Sequence, residues 1–564
     1  MILNLIDKIM SNESELNKSF WKPLLLAILP SSYFWILATF FFLIYSFDML
    51  WYVKEFQIFG SDTSALSELL VLSIVAVPTA LGIGLTGQYI DRKPENLGKL
   101  ILGGLFGSSL MLLLDTISMG IKNGILILFA AGSMGLFLGI EIASAFVLFS
   151  VLTQWNCRGR VYAISNLVFA IFTFLLILIS EVSELRFFLA FPIISVFGII
   201  ISLFLFFPLK KMKFWRNDKW PTKDIQILQR SSVQAYSLAH ISIYLMLGLT
   251  IGSLAQAGFT LFMGITMESH ATFWSIVILG TIISILPAGA LADRWGRKTL
   301  TILAVYGILG ASLLVGFIEL NFTTFTLASL IIGVAFAFLH PTLDSSLWSD
   351  LASKDSIGRY FGINGLSLGA GLAAGFLISY FFFLDIISSI LNYMVFFYIG
   401  LAVLTLFPLF WTSDSYPPLE FFLLLVINEA GVPIFHYQFG HKKELQVDLP
   451  LISGALSAVG TFMVEATGEK DGRLNLVNHG SHFILTDESK GKTNVTAAIF
   501  SNKNDHELQV LLRKFIQKFQ EKYETELVEW KGNLDTFKDA YIEAEMIFGP
   551  LITLSHEEQL VTNI

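Results

Sequence analysis

Long apolar runs at 33–49, 125–152, 187–209 and 387–410 are interrupted by few or no charges. Runs of that length cross a bilayer as helices, because a helix satisfies its own backbone hydrogen bonds in a solvent that offers none. The pattern predicts twelve spans, at 31–53, 66–90, 98–118, 124–152, 161–181, 187–208, 238–264, 271–292, 299–319, 323–348, 360–382 and 388–411. From position 419 the pattern changes. Runs at 421–428 and 432–437 are strand-like around Glu429-Ala430-Gly431 and read as a hairpin. A helix follows at 449–466, then strands at 473–478, 482–486 and 493–501, separated by Gly480 and by Lys490-Gly491-Lys492. Leu508, Leu511, Leu512, Phe515, Ile516, Phe519, Tyr523 and Leu527 then recur at helical spacing and form one apolar face, and a last helix is expected over 534–547.

Composition agrees with an apolar solvent: 54% of the 564 residues are hydrophobic and 14% are charged, against about 25% charged in a soluble domain. Residues 1–20 mix acids and bases around a short apolar stretch with no small-residue cleavage site, so the first span is expected to target the chain as well. Placing the N-terminus inside gathers Lys210, Lys211, Lys213, Arg216, Lys219, Lys223 and Arg230 in one cytoplasmic loop. Arg92, Lys93, Arg158, Arg160, Arg294, Arg297, Lys298, Lys354 and Arg359 fall in the others, and little more than Lys54, Lys122 and Arg186 is left outside. That asymmetry obeys the positive-inside rule and returns the C-terminus to the cytoplasm. Residues 1–412 hold 23 Lys/Arg against 22 Asp/Glu and residues 413–564 hold 13 against 22, so the net charge of −8 resides in the tail. An acidic tail is a poor partner for nucleic acid, and the basic loop fixes topology or meets anionic headgroups. The single cysteine, Cys157, permits neither an internal disulfide nor a thiol metal cluster. The divisions expected are 1–30, a cytoplasmic segment; 31–208 and 238–412, two six-helix halves; 209–237, a basic linker; and 413–564, a soluble domain.

Two strings repeat. Gly289-Ala-Leu-Ala-Asp293-Arg294-Trp-Gly296-Arg297-Lys298 ends the eighth span and Gly87-Gln-Tyr-Ile-Asp91-Arg92-Lys93 ends the second, an interval of 202 residues. Arg158-Gly159-Arg160-Val-Tyr-Ala-Ile164 precedes the fifth span and Ile357-Gly358-Arg359-Tyr-Phe-Gly-Ile363 the eleventh, an interval of 199. Two halves with matching loops are the trace of a transporter built from repeats around a central site. The first string resembles the signature loop of the major facilitator superfamily, and the Gly-Arg element resembles that family's companion motif. The C-half copy is complete; in the N-half copy Lys93-Pro94-Glu95-Asn96 replaces Gly-Arg-Lys. The resemblance covers about 1–412 and implies an all-α polytopic fold of twelve helices in two pseudo-repeats, an axial cavity lined by spans one, four, seven and ten, and alternating access. Residue type argues the same role. Gly289 permits close helix approach, and Asp293 can pair with Arg294, Arg297 or a cation of the companion motif at the cytoplasmic rim. Merely enforcing topology is the plainer role for such cations.

Ionisable groups at membrane depth are costly unless paired or hydrated. Asp48 in span one, Glu141 in span four, and His340 and Asp344 in span ten are the candidates for a substrate or proton path, with Gln256 in span seven. Shifting Glu141 by 199 lands on His340, which places an acid and an imidazole at equivalent positions of the two halves. His340 and Asp344 sit one turn apart and could share a proton, although Pro341 lies between them. A static buried pair is the plainer alternative. Asp115, Glu68, His240 and Asp350, near span ends, are expected to snorkel to water.

In the tail, the order strand, strand, helix, three strands, helix, helix resembles a longin domain, with the roadblock arrangement as the near alternative; this makes the C-terminal region α+β. Longin-like domains imply binding, to another longin or roadblock domain, a small GTPase or a trafficking factor. Walker-type loops, zinc spacings and a Ser/His/Asp arrangement are absent from the sequence, which predicts neither enzyme nor cofactor. The expectation is a secondary active transporter in the plasma membrane, symporting or antiporting a small polar or amphipathic solute with protons. The alternative is a membrane anchor or receptor whose tail recruits a small GTPase without transport.

Overall fold

The computed structural model describes residues 64–121, 123–153, 157–182, 186–211, 230–262, 267–317, 321–339, 347–352, 356–383, 387–412, 419–439, 448–467, 474–479, 482–489, 493–530 and 532–549. The first expected span, 31–53, and most of the basic linker lie outside them.

Within the N half the helices are α1 (Ser64–Arg92), α2 (Leu97–Gly120), α3 (Gly124–Leu152), α4 (Arg158–Val182) and α5 (Arg186–Lys211). The C half has α6 (Ser231–Phe262), α7 (Met267–Trp295), α8 (Arg297–Phe317), α9 (Phe322–Leu339), the short α10 (Leu347–Leu351), α11 (Ile357–Phe383) and α12 (Ile387–Trp411). Each falls on an expected span, the tenth being carried by α9 and α10. Among the described residues seven helical stretches are long and apolar enough to cross a membrane, six of them in this bundle. Side chains such as Leu85, Ile125, Phe204 and Phe407 face outward, as a helix in lipid requires.

Packing follows the repeat. In the N half α1 packs on α3, α3 on α2, and α2 on α5; in the C half α7 packs on α9, α9 on α8, and α8 on α12. These are the same three pairings six spans apart. Across the halves α1 meets α11 and α7 meets α4, again a symmetric exchange. Ser150 and Ser349, 199 residues apart, hydrogen-bond to each other through their hydroxyls. Two equivalent residues can touch only on the axis that relates them, so the pseudo-twofold passes between these serines.

The C-terminal region is a five-stranded antiparallel sheet with helices on both faces. Strands β1 (Phe421–Asn428), β2 (Pro433–Gln438), β3 (Leu476–His479), β4 (His482–Ser489) and β5 (Val495–Ser501) lie in the order β2-β1-β5-β4-β3. The β1–β2 turn is made by Asn428, whose side chain accepts from the Ala430 and Val432 N–H groups, and by Gly431 at φ 77°; only glycine takes that conformation without strain. Helices α14 (His506–Val528) and α15 (Ala540–Phe548), with the turn between them, cover one face through Phe515, Phe519, Phe537 and Phe548. Helix α13 (Leu449–Thr467) covers the other through Leu456 against Leu425, Ile427 and Ala498. It is the seventh stretch long and apolar enough to span a membrane, yet it lies on the sheet and leaves Leu451 and Phe462 exposed. The expected last helix is divided: 534–537 form a 3-10 turn started by the Asn533 side chain, and Phe537 is pinned by Phe519 and Tyr523 before α15 begins.

Candidate functional site

Both repeated motifs gather at one end of the bundle, where the halves meet. Asp91, the last acid of α1, reaches across to the start of α11: its carboxylate accepts from the Gly358 N–H at 2.7 Å, the Arg359 N–H at 3.1 Å and the Arg359 Nε at 2.9 Å. Asp293, its counterpart on α7, does the same at the start of α4, accepting from the Gly159 N–H at 2.7 Å, the Arg160 N–H at 2.9 Å and the Arg160 Nε at 3.2 Å. Each aspartate therefore satisfies helix-start N–H groups that have no partner within their own helix, and places a negative charge at the positive end of the dipole. The two latches are equivalent and run in opposite directions between the halves.

Glycines make the approach possible. A Cβ on Gly358 would overlap the Gly87 carbonyl oxygen and lie 2.8 Å from Asp91 Oδ1; one on Gly159 would lie 2.7 Å from both Asp293 Oδ1 and the Gly289 carbonyl oxygen. Gly289 faces Gly159 and Ala163 in turn. Gly296, at φ 94°, turns the chain between α7 and α8, and that turn brings Arg297 back under α7.

Arg297 makes the halves unequal. Its Nη1 donates to Asp293 at 2.8 Å and its Nε to Asp350 at 3.0 Å, while Asp350 also receives Arg158 from the opposite half. Arg158 additionally donates to the Ser150 and Thr153 carbonyls at 3.0 and 3.2 Å. The result is a buried chain, Asp293, Arg297, Asp350, Arg158, that crosses the interface beside the serine pair. In the N half, Glu95 stands where the 202-residue shift places Arg297, and a 3-10 turn, Pro94–Asn96, replaces the glycine turn. Among the described residues Asp91 thus relies on Arg359 and backbone donors. Burial pushes its carboxyl up to about 6, against the opposing pull of those partners.

That shift sets a pH dependence. An acid whose native pKa is raised binds its proton more tightly when folded, so its favourable contribution is full below about 4 and is lost as pH rises through about 6. Acidification from pH 7.5 to 5 is expected to raise the melting temperature of the purified protein through this group. Asp91→Asn should remove that component, and an identical pH response in the variant would count against it.

The remaining motif residues are peripheral. Arg92 and Arg294 are exposed, and Lys298 caps the end of α12 by donating to the Thr412 carbonyl at 2.9 Å.

The expected path residues are less gathered. Glu141 is fully buried in α3, its Oε2 accepting from the Ser108 hydroxyl at 3.2 Å and its backbone pressed against Gly104 of α2. Its carboxyl is therefore turned toward the third span, inside its own half. Its Oε1 has no hydrogen-bond partner among the described residues. Asp48, His340 and Asp344 lie outside the described residues, and of Gln256, within α6, only the backbone is described.

The snorkelling expected of Asp115, His240 and Asp350 is corrected: all three are buried. Asp350 is held by two guanidinium groups, and His240 Nδ1 accepts from Trp348 Nε1 at 3.2 Å. Protein partners replace water in each of these two cases. Asp350 is the inter-half contact that sequence reading missed, since it has no counterpart at Val151, the position 199 residues earlier. The serine pair was findable, because Ser150 and Ser349 are separated by the companion-motif interval.

Residues 236–467 match the family model described as Major Facilitator Superfamily. No curated protein matches the chain. Among solved structures, the human organic anion transporter MFSD10 (TETRAN) superposes with a TM-score of 0.55 at 17% identity, over 70% of this chain and 100% of that one. A major facilitator transporter, FucP, in the outward conformation gives 0.52 at 14% identity, with the same shares covered. A variant of the E. coli fucose:proton symporter FucP gives 0.51 at 14%, again over 70% and 100%. At those identities the likenesses show a shared fold. The family match over 236–467 and that fold point the same way: this is an integral membrane protein with the helical fold of solved major facilitator transporters.

Proposed function

We propose that the chain is a proton-coupled secondary active transporter of a small polar or amphipathic solute, working by alternating access, with its termini in the cytoplasm of a plasma membrane. One observation carries the reading: two equivalent latches, Asp91 on the start of α11 and Asp293 on the start of α4, cross between the halves at a single end of the bundle. Such contacts must part together when the halves rock, and re-form together when they return. Loop charge assigns that end to the cytoplasm. The alteration of the first loop, which begins at Lys93, leaves the Asp91 latch intact and so is compatible with transport.

Glu141 is the proposed proton carrier. A lone carboxylate among apolar side chains is costly, and one hydroxyl donor offsets little of that cost. A neutral acid that ionises only when water reaches the contact between α2 and α3 avoids it. Asp48, Gln256, His340 and Asp344 are proposed to complete the path. The similar solved structures suggest candidate solutes, an organic anion and fucose, since one is an organic anion transporter and another a fucose:proton symporter. In proteoliposomes with an imposed pH gradient, screened with small organic anions and monosaccharides, Glu141→Gln is expected to abolish gradient-driven uptake at wild-type expression. Wild-type rates in that variant would remove the assignment.

For the C-terminal region we propose a longin-like binding domain that regulates or localises the transporter. The strand order β2-β1-β5-β4-β3 with one helix on one face and two on the other is compatible with that topology. A small GTPase or a longin or roadblock partner is the proposed ligand.

A further inference from the structure

Among the described residues the C-terminal domain meets the helical bundle at a charged node, and that node adjoins the Asp91 latch and the buried ionic chain. Arg230, at the start of α6, is 12% exposed in its side chain and donates to Glu507 in bidentate fashion, Nε to Oε1 and Nη2 to Oε2, each at 3.1 Å. Glu507 lies in the first turn of α14, whose start is fixed by the Asp505 side chain accepting from the Glu507 and Leu508 N–H groups. Ser232 donates its hydroxyl to the same carboxylate at 2.9 Å. Arg230 also donates to the Leu351 carbonyl at 3.1 Å and to the Tyr360 hydroxyl. Leu351 follows Asp350, the hub of the buried ionic chain, and Tyr360 follows Arg359, the partner of Asp91. One guanidinium therefore connects the tail to the residue next to Asp350 and to the residue next to Arg359.

Building on the transport reading above, we propose that the tail is a clamp on the gate: docking of Glu507 on Arg230 holds α10 and the start of α11 in the closed arrangement, and undocking favours opening. Bidentate carboxylate pairing fixes the guanidinium plane. With the plane fixed, the remaining N–H groups point at Leu351 and Tyr360 and hold Asp350 and Arg359 where the opposite half receives them. Without Glu507, Arg230 is a largely buried charge with neutral acceptors only, and it gains by moving toward water. A partner that draws the tail away would thereby release the gate.

Cys157, the single cysteine of the chain, immediately precedes Arg158 and Gly159 and is partly exposed. Its rate of maleimide labelling in the purified full-length protein reports opening of this end without any transported solute. Failure of a transport screen and failure of the clamp are therefore read separately. Glu507→Gln is expected to label roughly 5-fold faster or more, in the range of ordinary coupling between sites. Glu526→Gln, an exposed position of the same helix, makes the same charge change and should label at the wild-type rate. Ser232→Ala, which removes one hydrogen bond to the carboxylate and leaves the tail sequence intact, should label faster by a smaller factor. Wild-type labelling in both Glu507→Gln and Ser232→Ala would overturn the clamp, as would equal acceleration by Glu526→Gln.

Discussion

Asp350→Ala is expected to give the largest loss of stability of any single change at the gate, about 3–5 kcal/mol, read as a lowered melting temperature of the purified protein in detergent. The reason is the position of the carboxylate between two guanidinium groups. Arg158 and Arg297 side chains are 3% and 0% exposed, so neither can reach water when the shared acid is removed. Arg297 retains Asp293, but Arg158 is left with carbonyl and hydroxyl acceptors alone. Burying an unpaired charge costs far more than an ion pair contributes, which makes this deletion more severe than loss of an exposed pair. Asp293→Ala should cost less, because Arg297 then keeps Asp350 and Arg160, whose side chain is 38% exposed, turns to solvent. Equal melting temperatures for Asp350→Ala and wild type would show that the ionic chain does not bind the halves.

The second large effect is conformational. Gly358→Val and Gly159→Val are each expected to hold this end of the bundle open, with Cys157 labelled at a rate near that of the fully open form. At both positions the obstruction is a carbonyl oxygen of a facing helix, Gly87 or Gly289, together with the latching aspartate. A backbone oxygen cannot rotate away as a side-chain terminus can, so the halves must separate to admit the new atoms. Each half keeps its own helix pairings, α1–α3–α2–α5 and α7–α9–α8–α12, so the variants should fold and reach the membrane. Because the latches are equivalent, the two variants should behave alike. Wild-type labelling in either would mean that the close glycine contacts are not what opens and closes.

Glu507→Gln differs in kind from these. It alters a residue of the tail and acts on a gate it does not contact. Asp350 and Gly358 belong to the gate, so loss of stability or forced opening there would be expected under any account of the tail. Comparing the three separates the gate's own cohesion from control imposed on it.

How much of this was legible before any coordinates can be judged residue by residue. The spans followed from apolar runs, and α3 (Gly124–Leu152) falls on its expected bounds because Asn123 caps one end and Thr153 closes the other. The repeat interval located all four corners of the inter-half contact, since Asp91, Asp293, Gly159 and Gly358 are marked by the motifs themselves. In the tail, the apolar stripe of α14 named its core side: Leu508, Leu512, Phe515, Ile516, Phe519 and Tyr523 are all buried. What the pattern could not supply was the partner of each polar group. Glu141 was an unusual acid in an apolar span, but Ser108 and Gly104 became its neighbours only when α2 packed on α3. Asp350 looked like a span-end acid free to reach water until α4 and α8 brought an arginine to each side of it.

The sequence by itself determined which segments are apolar enough for lipid, the approximate bounds of the described helices, the duplication, and the aspartates and glycines of the two latches, because transfer free energy and backbone sterics act on residues one at a time or over short windows. Tertiary structure alone decided which charges would be neutralised and by what: the double salt bridge at Asp350, the hydroxyl on Glu141, and the pairing of Arg230 with Glu507, 277 residues apart. The energy of a buried charge depends on the few ångströms around it, and those are filled by chain segments that no local pattern names.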